Sequence, residues 1–324
     1  MNFNFVRGLR ALMVFAVAAL GWMSVFAQSP TPSPAASAPR MATYMGEKAC
    51  RECHSQEDSH FSDTLHAKTF RLNPKNDREK QVCEACHGPG SLHVKNTKDK
   101  SLIVSFTRSW GTPVALQNES CLNCHKGGNR LHWPNSIHQT NQLACADCHN
   151  PMEKVSPNGL LVKTTISEVC MNCHQQQRAE FNKRSHMPLP EGKMTCVDCH
   201  NPHGTVTKPL LKGDSVNAVC YSCHAEKRGP FLWEHAPVRE NCSNCHVPHG
   251  SNNDKLLVSA RPLLCQQCHS PSVGHPGQFY NASQTAAAAT AGGTPSQRII
   301  GRSCQNCHSQ IHGSNHPAGA RFQR

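Results

Sequence analysis

The sequence predicts an elongated, loop-rich fold of mostly short helices with almost no β-sheet, wrapped around an interior that its own side chains cannot fill. Three observations predict it. The chain has 324 residues, of which 20 are cysteine and 22 histidine, and its 37% hydrophobic content is too thin to build a core for that length unaided. Alternating apolar patterns, the mark of half-buried strands, are nearly absent. Serines stand ready to cap short helices just ahead of cysteine pairs, Ser167 before Cys170 and Ser215 before Cys220,.

Residues 1–27 carry Arg7 and Arg10, an apolar run from Ala11 to Phe26 and a small-residue end at Val25-Phe26-Ala27, the pattern of a secretory signal cleaved before Gln28. The 16 apolar residues, interrupted by Gly21, fall short of the ~20 that span a bilayer as a helix, which argues against a retained anchor. No cysteine lies near Ala27 to take a lipid. The mature chain is therefore expected to be soluble in an extracytoplasmic, oxidising compartment. Residues 28–45, rich in Pro, Ser and Ala, read as a flexible lead. Two halves of five motifs follow, 46–185 and 186–324, and Pro276 to Gly301 reads as a long loop.

Every cysteine falls in a Cys-x-x-Cys-His motif. The ten copies are Cys50, Cys53 and His54; Cys83, Cys86 and His87; Cys121, Cys124 and His125; Cys145, Cys148 and His149; Cys170, Cys173 and His174; Cys196, Cys199 and His200; Cys220, Cys223 and His224; Cys242, Cys245 and His246; Cys265, Cys268 and His269; and Cys304, Cys307 and His308. Two thiols three residues apart form thioethers with the vinyl groups on one heme edge, and the adjacent histidine reaches the iron. Structural zinc or local disulfides would also use Cys-x-x-Cys, but neither gives a reason for the histidine. Its recurrence after the second cysteine in all ten copies has a chance probability on the order of 10⁻¹². The fold class is thus a multiheme cytochrome c with ten covalently bound hemes c, the motif histidines serving as proximal ligands.

Ten six-coordinate irons also need ten distal ligands. From residue 66 the chain repeats a unit in which one histidine precedes a motif, another follows it closely, and usually a second motif comes later. The slots are His66 and His93, His138 and Met152, His186 and His203, His235 and His249, and His275 and His312. One slot holds methionine: Asn150-Pro151-Met152 stands where a later unit has Asn201-Pro202-His203, and a thioether is an ordinary axial ligand of c-type heme. His60, His132 and His316 lie outside the slots and read as spares, although one of them, His132 first, could fill the tenth position instead of Met152. His/Met ligation raises the reduction potential, which favours a chain that accepts electrons, as in inward transfer from Fe(II).

The formal charge of +12 invites a nucleic-acid reading. Cleaving the signal removes two arginines, and the twenty propionates of ten hemes against ten ferric charges bring the oxidised protein to about zero and the reduced one to about −10. The basic residues are better placed as propionate partners, and no nucleic-acid partner is expected.

Specific strings beyond the motif carry a family likeness: Cys83-Glu84-Ala85-Cys86-His87-Gly88-Pro89, the stretch from Cys220 through Gly229-Pro230 to Trp233-Glu234-His235-Ala236-Pro237, and Cys304 through His312-Gly313-Ser314-Asn315-His316-Pro317. On these the whole mature chain resembles the periplasmic decaheme cytochromes of porin–cytochrome conduits, the MtrA, MtoA and PioA group with the DmsE-type relatives. The resemblance implies a periplasmic electron carrier inserted into an outer-membrane β-barrel porin, linking periplasmic redox partners to an extracellular cytochrome or to Fe(II)/Fe(III). If each heme advances the wire by roughly 6–8 Å, ten span ~60–80 Å, more than the ~40–45 Å of a bilayer with its headgroups. A polar, irregular chain sits at that depth only inside a closed barrel. The alternative is a soluble periplasmic shuttle to a terminal reductase. An enzyme would need an open iron position or an altered proximal ligand, but no motif ends in Lys and the distal slots are nearly all filled,.

Overall fold

The computed structural model describes residues 42–269, 304–317 and 319–323. The signal expected at 1–27, most of the lead, the loop expected at Pro276–Gly301 and His275 lie outside the described residues. The described chain is a succession of short helices and turns. Its longest are α1 (Ser55–Ser62), α2 (Leu65–Leu72) and α3 (Val114–Leu122), and α4 (Ile166–Met171), α5 (Gln175–Glu180) and α6 (Val216–Tyr221) are nearer the typical length. No strand occurs among the described residues, only isolated bridges such as His149 to Leu161, His200 to Leu211 and His246 to Leu257.

Each motif is one helical turn. In all ten, the histidine amide donates to the carbonyl of the first cysteine, at 2.8–3.1 Å. That i to i−4 closure sets the two thiols, three residues apart, on one face with the histidine beside them.

The helix caps differ in part from expectation. Ser215 does cap α6, accepting from Ala218 N at 3.0 Å. Ser167 does not cap α4. Thr165 takes that place in a reciprocal box with Glu168, accepting from Glu168 N at 3.2 Å while Glu168 Oε2 accepts from Thr165 N at 2.9 Å, because Thr-x-x-Glu satisfies two orphan amides where a serine satisfies one. Ser167 hydrogen-bonds the thiol of Cys196 in the next motif. Three residues ahead of their own motifs, Asn118 and Asn217 do related work: their Oδ1 atoms accept from Cys145 N and Cys242 N, each at 2.7 Å. Neighbouring motifs are therefore pinned together by local polar side chains.

Successive units abut closely. A Cβ on Gly204 would lie 2.1 Å from the His132 carbonyl oxygen, and one on Gly250 2.0 Å from that of Glu180, so the glycine of each Pro-His-Gly is what the approach of two backbones requires. Buried apolar side chains are few. One cluster, Phe61, Ala67 and Val82, has Phe70, Cys83 and Met152 packed against it, while Leu65, Leu72, Val206 and Leu232 stand well exposed. An interior this thin fits a fold completed by a large apolar group other than its own side chains.

Candidate heme-binding chain

The motif turns line up in sequence order. The first cysteines of paired motifs are hydrogen-bonded thiol to thiol: Cys50 with Cys83, Cys121 with Cys145, Cys170 with Cys196, Cys220 with Cys242 and Cys265 with Cys304. Between these pairs the second cysteines interact electrostatically, Cys86 with Cys124, Cys148 with Cys173, Cys199 with Cys223 and Cys245 with Cys268. Each motif thereby neighbours the next in sequence order, through first and second cysteines alternately, from the first motif to the tenth. None of the twenty cysteines is in a disulfide. Burial, with the neighbouring Cys50 and Glu47, pushes Cys83 up to about 12, and burial pushes Cys148 up to about 11.

Seven motif histidines face a second imidazole. The pairs are His54 with His93 at 6.4 Å between ring centroids, His125 with His66 at 5.9 Å, His149 with His203 at 6.1 Å, His174 with His138 at 6.2 Å, His200 with His249 at 6.3 Å, His246 with His312 at 6.2 Å, and His269 with His235 at 6.2 Å. A metal–imidazole bond of ~2.0 Å and ~1.1 Å from nitrogen to ring centroid separate two rings on one iron by ~6.2 Å. The residues therefore fit axial ligation of one heme iron between each pair.

The ring nitrogens agree. Nδ1 of His87, His149, His200, His246 and His308, the histidines of the even-numbered motifs, meets the backbone carbonyls of Val104, Gly159, Pro209, Lys255 and Arg321 at 2.5–2.9 Å. Among the second histidines, Nδ1 of His138 meets Pro202 O at 2.7 Å and Nδ1 of His235 meets Ile311 O at 3.1 Å. Each such bond leaves Nε2 for a metal and fixes the ring. Burial holds His66, His203, His235, His249 and His312 below the ordinary imidazole value, which keeps them in the neutral, metal-binding form.

Three slots stand apart. His186 is not in a ring pair; its Nε2 lies 3.1 Å from Glu191 Oε1 and its Nδ1 2.6 Å from Lys183 O. Met152 packs on the Phe61 cluster, as Cys83 of the second motif also does, and His275 lies outside the described residues. Among the described residues the motif histidines that face no second imidazole are His87, His224 and His308, and His87 meets Phe106 edge-on at 5.3 Å instead. Arg130 offers a buried Nε with no partner near His125 and His203, a ready anchor for a heme propionate.

Sequence reading missed a further repeat. An aromatic residue stands five positions before the first histidine of three units, Phe61 before His66, Trp133 before His138 and Phe181 before His186. Trp133 meets the ring of His203 at 6.5 Å and Phe181 that of His249 at 5.5 Å. The spares His60 and His132 are the residues just before these aromatics, exposed and set apart from the ring pairs. The five-residue spacing was visible in the sequence; the contact across units was not.

Covalent-attachment turns strung in order and facing imidazoles define a multiheme c-type cytochrome. Comparison with known proteins agrees. A doubled CXXCH motif family matches residues 138–179, 186–229 and 235–274, and a cytochrome c-type NrfB-like family matches residues 83–158. The chain is 43% identical over 279 residues to the multiheme cytochrome MtrA of Shewanella baltica, covering 86% of this chain and 81% of that protein. It is 27% identical over 158 residues to the cytochrome c-type protein NrfB of Haemophilus influenzae, covering 41% of this chain and 68% of that protein. The chain belongs to the MtrA family of multiheme cytochromes; it binds heme c and is an electron carrier rather than an enzyme. No helix among the described residues is long and apolar enough to cross a membrane.

Proposed function

We propose that the chain holds ten hemes in single file and conducts electrons across the outer membrane from the periplasm, inside a β-barrel porin. Bound heme supplies one-electron exchange at its iron. The observation that carries the reading is the unbroken order in which the cysteines of each motif neighbour those of the next, from Cys50 to Cys304. A chain whose motifs met out of order, or in separate clusters, would make a store of hemes rather than a path. The irregular backbone needs a closed protein sheath to lie at bilayer depth, which the barrel provides, and extracellular iron or a surface cytochrome is the exchange partner at the far end.

The twenty cysteines attach the hemes, and the motif histidines are the proximal ligands. Six of the seven ring pairs follow a rule, and the exception is His93 with His54 at the first motif, where no earlier even motif exists. Histidines after an even-numbered motif face the even motif before it, His203 with His149, His249 with His200 and His312 with His246. Histidines before an even motif face the odd motif after it, His66 with His125, His138 with His174 and His235 with His269. Extending the rule gives Met152 to His87 and His186 to His224, and His275 then remains for His308. Met152 packs on the Phe61 cluster, and so does Cys83 of that second motif, in the place where His203 and His249 meet their aromatics. Glu153 stands there in place of the glycine of Pro-His-Gly, and an unbranched thioether side chain adapts to a slot that an imidazole fills elsewhere.

Purification from outer membranes tests the conduit. The chain is expected to co-purify with a large β-barrel. Recovery only as a free monomer from a strain carrying its native gene cluster rejects the conduit and leaves the soluble shuttle.

A further inference from the structure

The distal-slot imidazoles differ in what their outer nitrogen meets. His138 and His235 meet neutral backbone carbonyls, and Nδ1 of His66 and of His93 is buried without a partner. His249 is different. Its Nδ1 lies 3.4 Å from Oε2 of Glu180, a carboxylate whose side chain is only 15% exposed. Other carboxylates near motif imidazoles are open to water: Glu57 beside His54 is 58% exposed and Glu226 beside His224 is 60% exposed, so solvent screens them.

The Glu180 carboxylate is held in place. Gln176 Nε2 donates to its Oε1 at 3.0 Å, its backbone carbonyl is pressed against Gly250, and its neighbour Phe181 meets the His249 ring edge-on at 61°. Across the pair, Nδ1 of His200 meets Pro209 O at 2.9 Å. Both imidazoles of this pair therefore carry an acceptor on the outer nitrogen, and one acceptor is a full negative charge. The residues in the equivalent place of earlier units are His60 and His132, neither of which can supply that charge.

We propose that Glu180 is a redox-tuning residue that makes the sixth heme, held between His200 and His249, the lowest-potential site in the chain. An acceptor on Nδ1–H pushes electron density onto Nε2, raises ligand basicity and favours ferric over ferrous iron. A half-buried carboxylate does this more strongly than a neutral carbonyl.

This inference rests on His200 and His249 sharing an iron, which His249→Met tests by itself: near-infrared magnetic circular dichroism then gains a His/Met signal, and an unchanged spectrum removes that foundation. Glu180 is tested by Glu180→Gln in the heme-loaded protein, using potentiometric titration and film voltammetry. The lowest component is expected to move up by about tenfold in the ferric-to-ferrous preference, about 59 mV for one electron, with heme content and ligation spectra unchanged. A titration curve superimposed on that of the wild type overturns the inference. If Glu180→Gln fails to load, His132→Glu decides: it places a carboxylate in the equivalent position beside His203 and is expected to lower one component, and no shift overturns the inference.

Discussion

Trp133 meets His203 edge-on, ring centroids 6.5 Å apart at 61°, and this contact joins the aromatic of one unit to the distal slot of the next. Phe181 and His249 repeat it at 5.5 Å and 61°. In the first such junction the slot holds Met152, packed on the cluster that contains Phe61. Near-infrared magnetic circular dichroism of the oxidised protein is therefore expected to show one His/Met charge-transfer band beside bis-histidine ones. Met152→His should abolish it and lower the highest reduction potential, because a thioether favours ferrous iron relative to imidazole. A wild-type spectrum of bis-histidine hemes alone rejects the assignment.

Heme stoichiometry follows from the ten identical turns. Ten hemes per chain should resist acid–acetone extraction, since each is held by two thioethers. A ratio near five, or zinc in the purified protein, would sink this prediction.

Gly204 is required by the junction between units, with φ at +115° and no room for a Cβ against the His132 carbonyl. Gly204→Ala is expected to destabilise the protein by about 1–3 kcal/mol through clash and backbone strain. Gly127→Ala meets open space and has ordinary φ, so it serves as the silent control. Thermal unfolding that leaves the two variants alike would remove the close-approach explanation.

Glu84, inside the second motif, is buried and accepts from the backbone amides of Met45 at 2.9 Å, Gly46 at 2.9 Å and Gly90 at 2.8 Å. Glu84→Ala leaves these amides without their acceptor and is expected to cost about 2–3 kcal/mol, seen as a lower midpoint in thermal unfolding followed by circular dichroism. An unchanged midpoint would show that water replaces the carboxylate at no cost.

The cofactor and its attachment were legible because their chemistry is local: two thiols and a histidine within five residues identify a heme-binding turn wherever the chain carries them. The same holds for the scarcity of strands and for the Ser215 cap. Ser167 was misread because a capping serine and a serine reaching across to the next motif look alike until Thr165 and Glu168 are seen closing the helix.

By itself the sequence determined the class of cofactor, and it offered the motif histidines as proximal ligands and a set of slots as distal ones, since these readings depend on spacing along one short segment. Which slot faces which motif was decided by the tertiary structure alone. His138 meets His174 and His203 meets His149 because closely abutting units pass side chains across their boundaries. Glu180 reached His249 in the same way, 69 residues along the chain, and no local pattern encodes a contact whose distance is set by how two separate turns pack.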